Sequence, residues 1–140
     1  MDASSSPLVY VLLGLLLLLS AVFSAAETAF FGANRLRLQQ RADAGEGAAR
    51  AARGLLDQPA RVLTTLLVAD NIVNVGAAVL AAVLFVQRFG PHRAALYAFL
   101  VMSALLLVVG EIIPKTVAAR HADALAVVLA RPLLLLSRLL

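Results

Sequence analysis

The chain has 140 residues, of which 62% are hydrophobic and 14% are charged, and its mean hydropathy is +0.94. These values exclude an ordinary soluble domain and indicate an integral membrane protein with the lipid bilayer as its partner. The absence of cysteine excludes disulfides and thiolate metal sites. The net charge of +4 arises from arginines that flank apolar segments without interleaved aromatic residues, so we expect no nucleic-acid partner.

The first apolar segment, residues 7–31, is long enough to cross a bilayer core of roughly 30 Å as a helix. Because the residues before it include Asp2 and neither lysine nor arginine, we expect a retained span rather than a cleaved signal peptide. Ser20, Ser24 and Glu27 follow one another at spacings of four and three. This spacing places their polar side chains on one face of the predicted helix.

Residues 34–61 are polar and hold six arginines against three acidic residues. Gly45 and Gly47 separate two predicted short surface helices in this loop, and Pro59 is predicted to open the next helix. Since lysine and arginine are concentrated on the cytoplasmic side of membrane proteins, we expect this loop to be cytoplasmic.

Two further spans are predicted at residues 62–86 and 94–113, joined by a short turn. Residues 117–130 then mix charged and aliphatic side chains, which predicts an amphipathic helix along the membrane interface. Pro132 is predicted to end that helix, and the apolar residues 133–140 that follow are too few to span. The prediction is therefore an all-α membrane domain of three spans with a juxtamembrane helical belt.

The positive charges also predict the orientation of these spans. Beyond Glu111 the chain carries four more lysines and arginines, against two in the turn at residues 87–93 and none before Pro7. The N-terminus is therefore expected outside, and the arginine-rich loop and the C-terminal end inside. This arrangement describes a multi-pass protein of the plasma membrane or of a bacterial inner membrane.

A carboxylate and a proline mark the end of the third span. Glu111 follows an apolar run, and an ionisable side chain at membrane depth is costly unless it is paired or lines a wet cavity. Pro114 lacks an N–H group and disturbs the carbonyl four residues earlier, which predicts free main-chain oxygen at Gly110. Lys115 lies four residues after Glu111, but the proline between them disfavours an ion pair.

Polar side chains of the three spans are predicted at a similar depth. Counting about 1.5 Å per residue from the cytoplasmic arginines places Ser24 and Asn71 roughly 15–16 Å deep, and Glu111 at most about 14 Å deep. Together with Asn74 and a Gly110 carbonyl, they form a set of hard oxygen donors suited to Mg²⁺, Ca²⁺ or Na⁺. Other roles stay open, because serines and asparagines also pack and join membrane helices, and Glu27 can pair with a nearby cation.

Three motifs occur in this order: Ser24-Ala25-Ala26-Glu27-Thr28-Ala29, Asp70-Asn71-Ile72-Val73-Asn74 and Gly110-Glu111-Ile112-Ile113-Pro114-Lys115. Together they resemble the transmembrane domain of the CorC/cyclin M (CNNM) magnesium transporters, over nearly all of residues 1–140. The resemblance implies a homodimeric domain that binds dehydrated Mg²⁺ and exports it in exchange for Na⁺. Members usually continue into cytoplasmic CBS domains, which this sequence does not include.

By motif position, the resemblance implies a metal site made of Ser20, Ser24, Asn71, Asn74, Gly110 and Glu111. Glu27, Asp70, Pro114 and Lys115 are expected to support it. The chain departs from the family at Ala69-Asp70, where Gly-Asn is typical, and the extra carboxylate can strengthen cation binding, alter coupling or be neutral. A membrane Mg²⁺ sensor or regulatory scaffold is the alternative to a transporter. An enzyme is not expected, since the sequence has no nucleophile–base pair and no phosphate-binding glycine loop.

Overall fold

The computed structural model describes residues 6–139, and this part of the chain contains helices and no strand. The helices are α1 (Ser6–Gly32), α2 (Arg35–Asp43), α3 (Gly47–Leu56), α4 (Pro59–Phe89), α5 (Pro91–Leu107), α6 (Ile113–Arg120) and α7 (Ala122–Leu139). A π-helical segment, Val108–Ile112, joins α5 to α6. The all-α prediction is confirmed. Asp2, on which the expectation of a retained first span depends, lies outside the described residues.

Three helical stretches are long and apolar enough to cross a membrane: Pro7–Gly32, Pro59–Phe89 and Pro91–Arg120. They include the three spans predicted from the sequence. Large apolar side chains such as Leu8 and Phe99 are 63% and 67% exposed on them. A helix that is apolar on all sides in this way is stable when lipid surrounds it, because the hydrocarbon takes the place of a protein core.

Proline and glycine set the ends of the helices as expected. Pro59 occupies the first turn of α4, where its missing N–H costs no hydrogen bond. Gly45, between α2 and α3, has φ of +102°, and Gly90, between α4 and α5, has φ of +79°. Only glycine adopts such backbone angles without strain, so these two positions fix the turns.

The short helices α2 and α3 pack with α7 against the ends of α1 and α4, and this group is the juxtamembrane belt. Phe30 of α1 and Leu38 of α2 are 1% and 0% exposed in its core. Asp123, at the start of α7, accepts hydrogen bonds from the Asn34 N–H at 2.6 Å and from Arg37 Nη1 at 3.0 Å. The belt is therefore stabilised by an apolar core and by the hydrogen bonds of Asp123 that join α7 to the start of α2.

The C-terminal helices differ from the prediction. The helix expected over residues 117–130 is divided at His121, whose backbone leaves the helical region with φ of −126° and ψ of 36°. Asp123 fixes the start of α7 through its bonds to the α2 region. Pro132 does not end α7, which continues to Leu139. Pro132 leaves the carbonyl of Val128 without its helical N–H donor. The helix tolerates this loss because both residues are exposed.

Candidate cation site

Residues of three membrane segments meet inside the domain. Ser20 Oγ on α1 donates a hydrogen bond to Asp70 Oδ1 on α4 at 3.2 Å. Asn74 Nδ2, one turn further along α4, donates to Asp70 Oδ2 at 3.3 Å. Gly110 of the π-helical segment packs against the same serine, since a Cβ atom on it would lie 3.0 Å from Ser20 Oγ. We call Ser20, Asp70, Asn74, Gly110 and the adjoining Glu111 the cation cluster.

The rotation of α4 decides which of its polar residues belong to this cluster. Asp70 and Asn74 are four residues apart and share the face that packs on α1. Asn71 is turned about 100° from Asp70 around the helix axis and is exposed on the surface of the domain. The structure therefore places Asp70, expected in a supporting role, at the centre, and leaves Asn71, expected as a ligand, outside.

The amide oxygen of Asn74 has no hydrogen-bond partner. Oδ1 is buried and unpaired within the described residues, while Nδ2 is occupied by Asp70. The bond from Nδ2 to a carboxylate fixes which end of the amide carries the oxygen, because a carboxylate accepts and does not donate. Burying an acceptor without a donor costs roughly 1–3 kcal/mol of folding free energy. A cation bound to this oxygen would offset that cost.

Among residues 6–139, the acidic side chains near Asp70 do not form a metal-binding group by themselves. Glu111 and Glu27 are partly buried and lie close enough to Asp70 to interact with it electrostatically. Within residues 6–139, no group of three or more histidines, cysteines and acidic residues is arranged to hold a metal. A cation at this site would consequently be held by a mixture of carboxylate, amide, hydroxyl and main-chain oxygens, which suits Mg²⁺, Ca²⁺ or Na⁺.

The two predicted serines of α1 are both buried. Ser20 is 1% exposed and Ser24 is 3% exposed. They lie one helical turn apart, so Ser24 follows Ser20 on the face that carries the cluster. Lys115 is partly buried, and within residues 6–139 it forms no ion pair with Glu111.

The helix is widened where Gly110 and Glu111 occur. The Ile113 N–H donates to the Val108 carbonyl five residues earlier, which is the π-helical spacing. At the same spacing, the next donor would be residue 114 and its acceptor the Val109 carbonyl, but Pro114 has no N–H. The Val109 carbonyl, next to Gly110, thus receives no N–H from position 114. The sequence analysis predicted disturbed main-chain hydrogen bonds at Pro114 but missed the π-helical register.

The contact between Gly110 and Ser20 leads to a stability prediction. Gly110→Ala is expected to lower the free energy of unfolding by about 1–3 kcal/mol, because the added methyl group overpacks the contact with α1. Gly54→Ala is the matched control, since a Cβ there meets nothing within 4 Å and alanine favours the helix by up to about 1 kcal/mol. Far-UV circular dichroism during unfolding in detergent measures both. Equal stability of the two variants would contradict the close packing.

Three spans around a buried cluster of oxygen donors, with a helical belt at one end, define a helical membrane domain with an internal polar site. Residues 11–140 match the family described as the cyclin M transmembrane N-terminal domain (CNNM), and the chain belongs to this family. The resemblance found in the sequence motifs is thereby confirmed. Together with the three apolar helices, this makes the chain part of a multi-pass membrane protein.

Relatives of the chain occur in bacteria and plants. It is 35% identical over 123 residues to a UPF0053 protein of Haemophilus influenzae, covering 88% of this chain and 29% of that protein. It is 33% identical over 108 residues to the UPF0053 inner membrane protein YfjD of Escherichia coli, covering 77% and 25%. A chloroplastic DUF21 domain-containing protein of Arabidopsis thaliana is 33% identical over 129 residues, covering 92% and 19%. The chain thus spans less than a third of the length of these relatives.

Proposed function

We propose that this domain binds Mg²⁺ in the cation cluster and moves it out of the cell, with Na⁺ entering in exchange. The observation that supports the proposal most is the buried, unpartnered Oδ1 of Asn74 beside the carboxylate of Asp70. Polar groups at membrane depth are rare and usually line an ion pathway. The family membership supports a role in membrane transport.

Asp70 accepts hydrogen bonds from two of the proposed ligands, Ser20 and Asn74. The hydroxyl of Ser20 and the amide NH₂ group of Asn74 both donate hydrogen bonds to Asp70. The lone pairs of the hydroxyl and of the amide oxygen therefore point away from Asp70. Both groups can keep these bonds while their oxygens bind a cation. Asp70 therefore orients two neutral ligands, in the way that carboxylates beside other metal sites orient ligands.

The charge of the site favours a divalent ion. Asp70 and Glu111 together supply two negative charges, which offset the cost of holding a dehydrated divalent cation away from water. The remaining oxygens of the roughly six that Mg²⁺ requires would come from Ser20, Asn74 and the main chain beside Gly110. Ser24, one turn away, would receive the ion on entry or exit.

Orientation and assembly complete the proposal. The arginine-rich belt would face the cytoplasm, in agreement with the positive-inside rule. The domain would act as a homodimer. Asn71 supports this, because it is a polar side chain exposed at membrane depth on α4, and lipid offers it no hydrogen-bond partner. A second copy of the chain can supply one.

Flux through reconstituted full-length protein tests the function. Proteoliposomes loaded with Mg²⁺ are expected to release it when an opposing Na⁺ gradient is imposed, and to release it several times more slowly without the gradient. Liposomes without protein give the background leak. Saturable Mg²⁺ binding with no flux above that background would contradict transport and would favour the alternative, a membrane Mg²⁺ sensor whose further domains respond to occupancy of the site.

A further inference from the structure

A groove lined by arginines lies where the start of α4 meets the end of α7, and none of its lining residues belongs to the cation cluster. It consists of two adjoining cavities of about 570 Å³ and 340 Å³. The two cavities share Arg61, Ser137 and Arg138 on their walls, and Arg50 of α3 lines the smaller one. We call this feature the arginine groove.

Within residues 6–139, two arginines of the groove donate hydrogen bonds to neutral acceptors. Arg61 donates to Gln58 Oε1 at 3.4 Å and to the Ser137 carbonyl at 3.3 Å, and Arg50 donates to the Ala42 carbonyl at 3.2 Å. These acceptors are neutral, so they hold the guanidinium groups in place and leave their charge intact. Among the described residues, no carboxylate lines either cavity.

Other arginines of the belt behave differently. Arg37, Arg41 and Arg53 each form an ion pair with an acidic side chain, at distances of 3.0 Å, 2.9 Å and 3.3 Å. By contrast, Arg50, Arg61 and Arg138 at the groove form no ion pair within residues 6–139. A guanidinium group held in place without a counter-charge is a good receptor for phosphate, which it can bind through two parallel hydrogen bonds.

The groove runs along α4 past Thr64 and Thr65 and ends at an apolar side chain. Its larger cavity extends from Arg61 along α4 to Val68, which is 41% exposed. The separation of seven positions corresponds to about 10 Å along the helix. A basic end at the belt and an apolar end within the span match the two parts of a phospholipid, whose phosphate and acyl chain are separated in the same direction.

We propose that the arginine groove binds an anionic phospholipid, with its phosphate on Arg61 and Arg138 and its acyl chain along α4 towards Val68. Free phosphate shares the anion chemistry of the headgroup. The apolar end of the groove favours the lipid, because an inorganic ion makes no use of it. Lipid binding at the arginine groove does not require Mg²⁺ transport.

Lipid titration tests this assignment. Full-length protein in neutral detergent is titrated with short-chain phosphatidylglycerol, and the unfolding midpoint is followed by far-UV circular dichroism, since a ligand that binds the folded state raises it. Arg138→Gln is the informative variant because its exposed side chain can change without disturbing the core. Arg120→Gln, which removes the same charge from an exposed position outside the groove, is the matched control.

The expected result is a saturable rise of the midpoint with phosphatidylglycerol and none with phosphatidylcholine of the same chain length. Arg138→Gln should raise the apparent dissociation constant about tenfold or more, as expected for one charge-assisted hydrogen bond, and Arg120→Gln should leave it unchanged. Equal effects of the two lipids, or equal binding by the two variants, would overturn the site. Inorganic phosphate acting as strongly as the lipid would overturn the lipid as its ligand.

Discussion

Glu111→Gln is expected to reduce Mg²⁺ transport by at least about a hundredfold while the protein stays folded. The substitution keeps the size of the side chain and removes one of the two acidic side chains of the proposed cation site. Changes to groups that only support a metal ligand already cost about ten- to a hundredfold in metal affinity, so loss of a charged ligand should cost more. The rate of Mg²⁺ release from proteoliposomes measures the effect.

Glu27→Gln is the matched control for that experiment. Glu27 also lies within electrostatic range of Asp70, and the substitution is chemically identical. It stands two turns from Ser20 on α1, outside the bonded cluster, so its transport rate should fall much less than that of Glu111→Gln. A larger loss in Glu27→Gln, or normal transport in Glu111→Gln, would show that Glu111 is not the charged ligand.

Asn74→Leu is expected to weaken Mg²⁺ binding by at least about tenfold, because it replaces the unpartnered amide oxygen with a methyl group of similar size. Asn71→Leu makes the same change three residues earlier, on the exposed side of α4. Its Mg²⁺ affinity should match that of the wild type. Isothermal titration calorimetry with the full-length protein in detergent measures both affinities.

The pair of asparagine variants also separates two interpretations of α4. If both variants lost Mg²⁺ binding, the expectation from the sequence, in which both asparagines are ligands, would be right. If only Asn71→Leu lost it, α4 would be rotated relative to the structure. A change in oligomeric mass for Asn71→Leu with unaltered Mg²⁺ affinity would instead fit a place for Asn71 between two copies of the chain.

The spans and turns were predictable from the sequence because they depend on local properties. Length and hydropathy define the membrane helices, and Gly45, Pro59 and Gly90 act through their own backbone angles. The ends of α7 were not predictable in this way. Its start depends on the bonds of Asp123 to the α2 region, nearly 90 residues away in the sequence. The exposed position of Pro132 then lets the helix continue.

The candidate site was only partly predictable for a geometric reason. Residues three and four apart both share a helix face, so the sequence could not choose between Asn71 and Asp70 as the neighbour of Asn74. Packing of α4 against Ser20 makes that choice. The π-helical register around Gly110 likewise arises where this glycine meets α1, since Pro114 alone is compatible with a break, a kink or a wider turn.

The location of a bound divalent ion tests the account most directly. Mn²⁺ prefers the same carboxylate, carbonyl and water ligands as Mg²⁺ and can be identified in crystals by its anomalous scattering. Crystals of the full-length protein grown with Mn²⁺ should give an anomalous peak within coordination distance of Asn74 Oδ1 and the Glu111 carboxylate, beside Ser20 and Asp70. A saturating Mn²⁺ concentration that leaves this position empty, or a peak elsewhere between the spans, would contradict the proposed site.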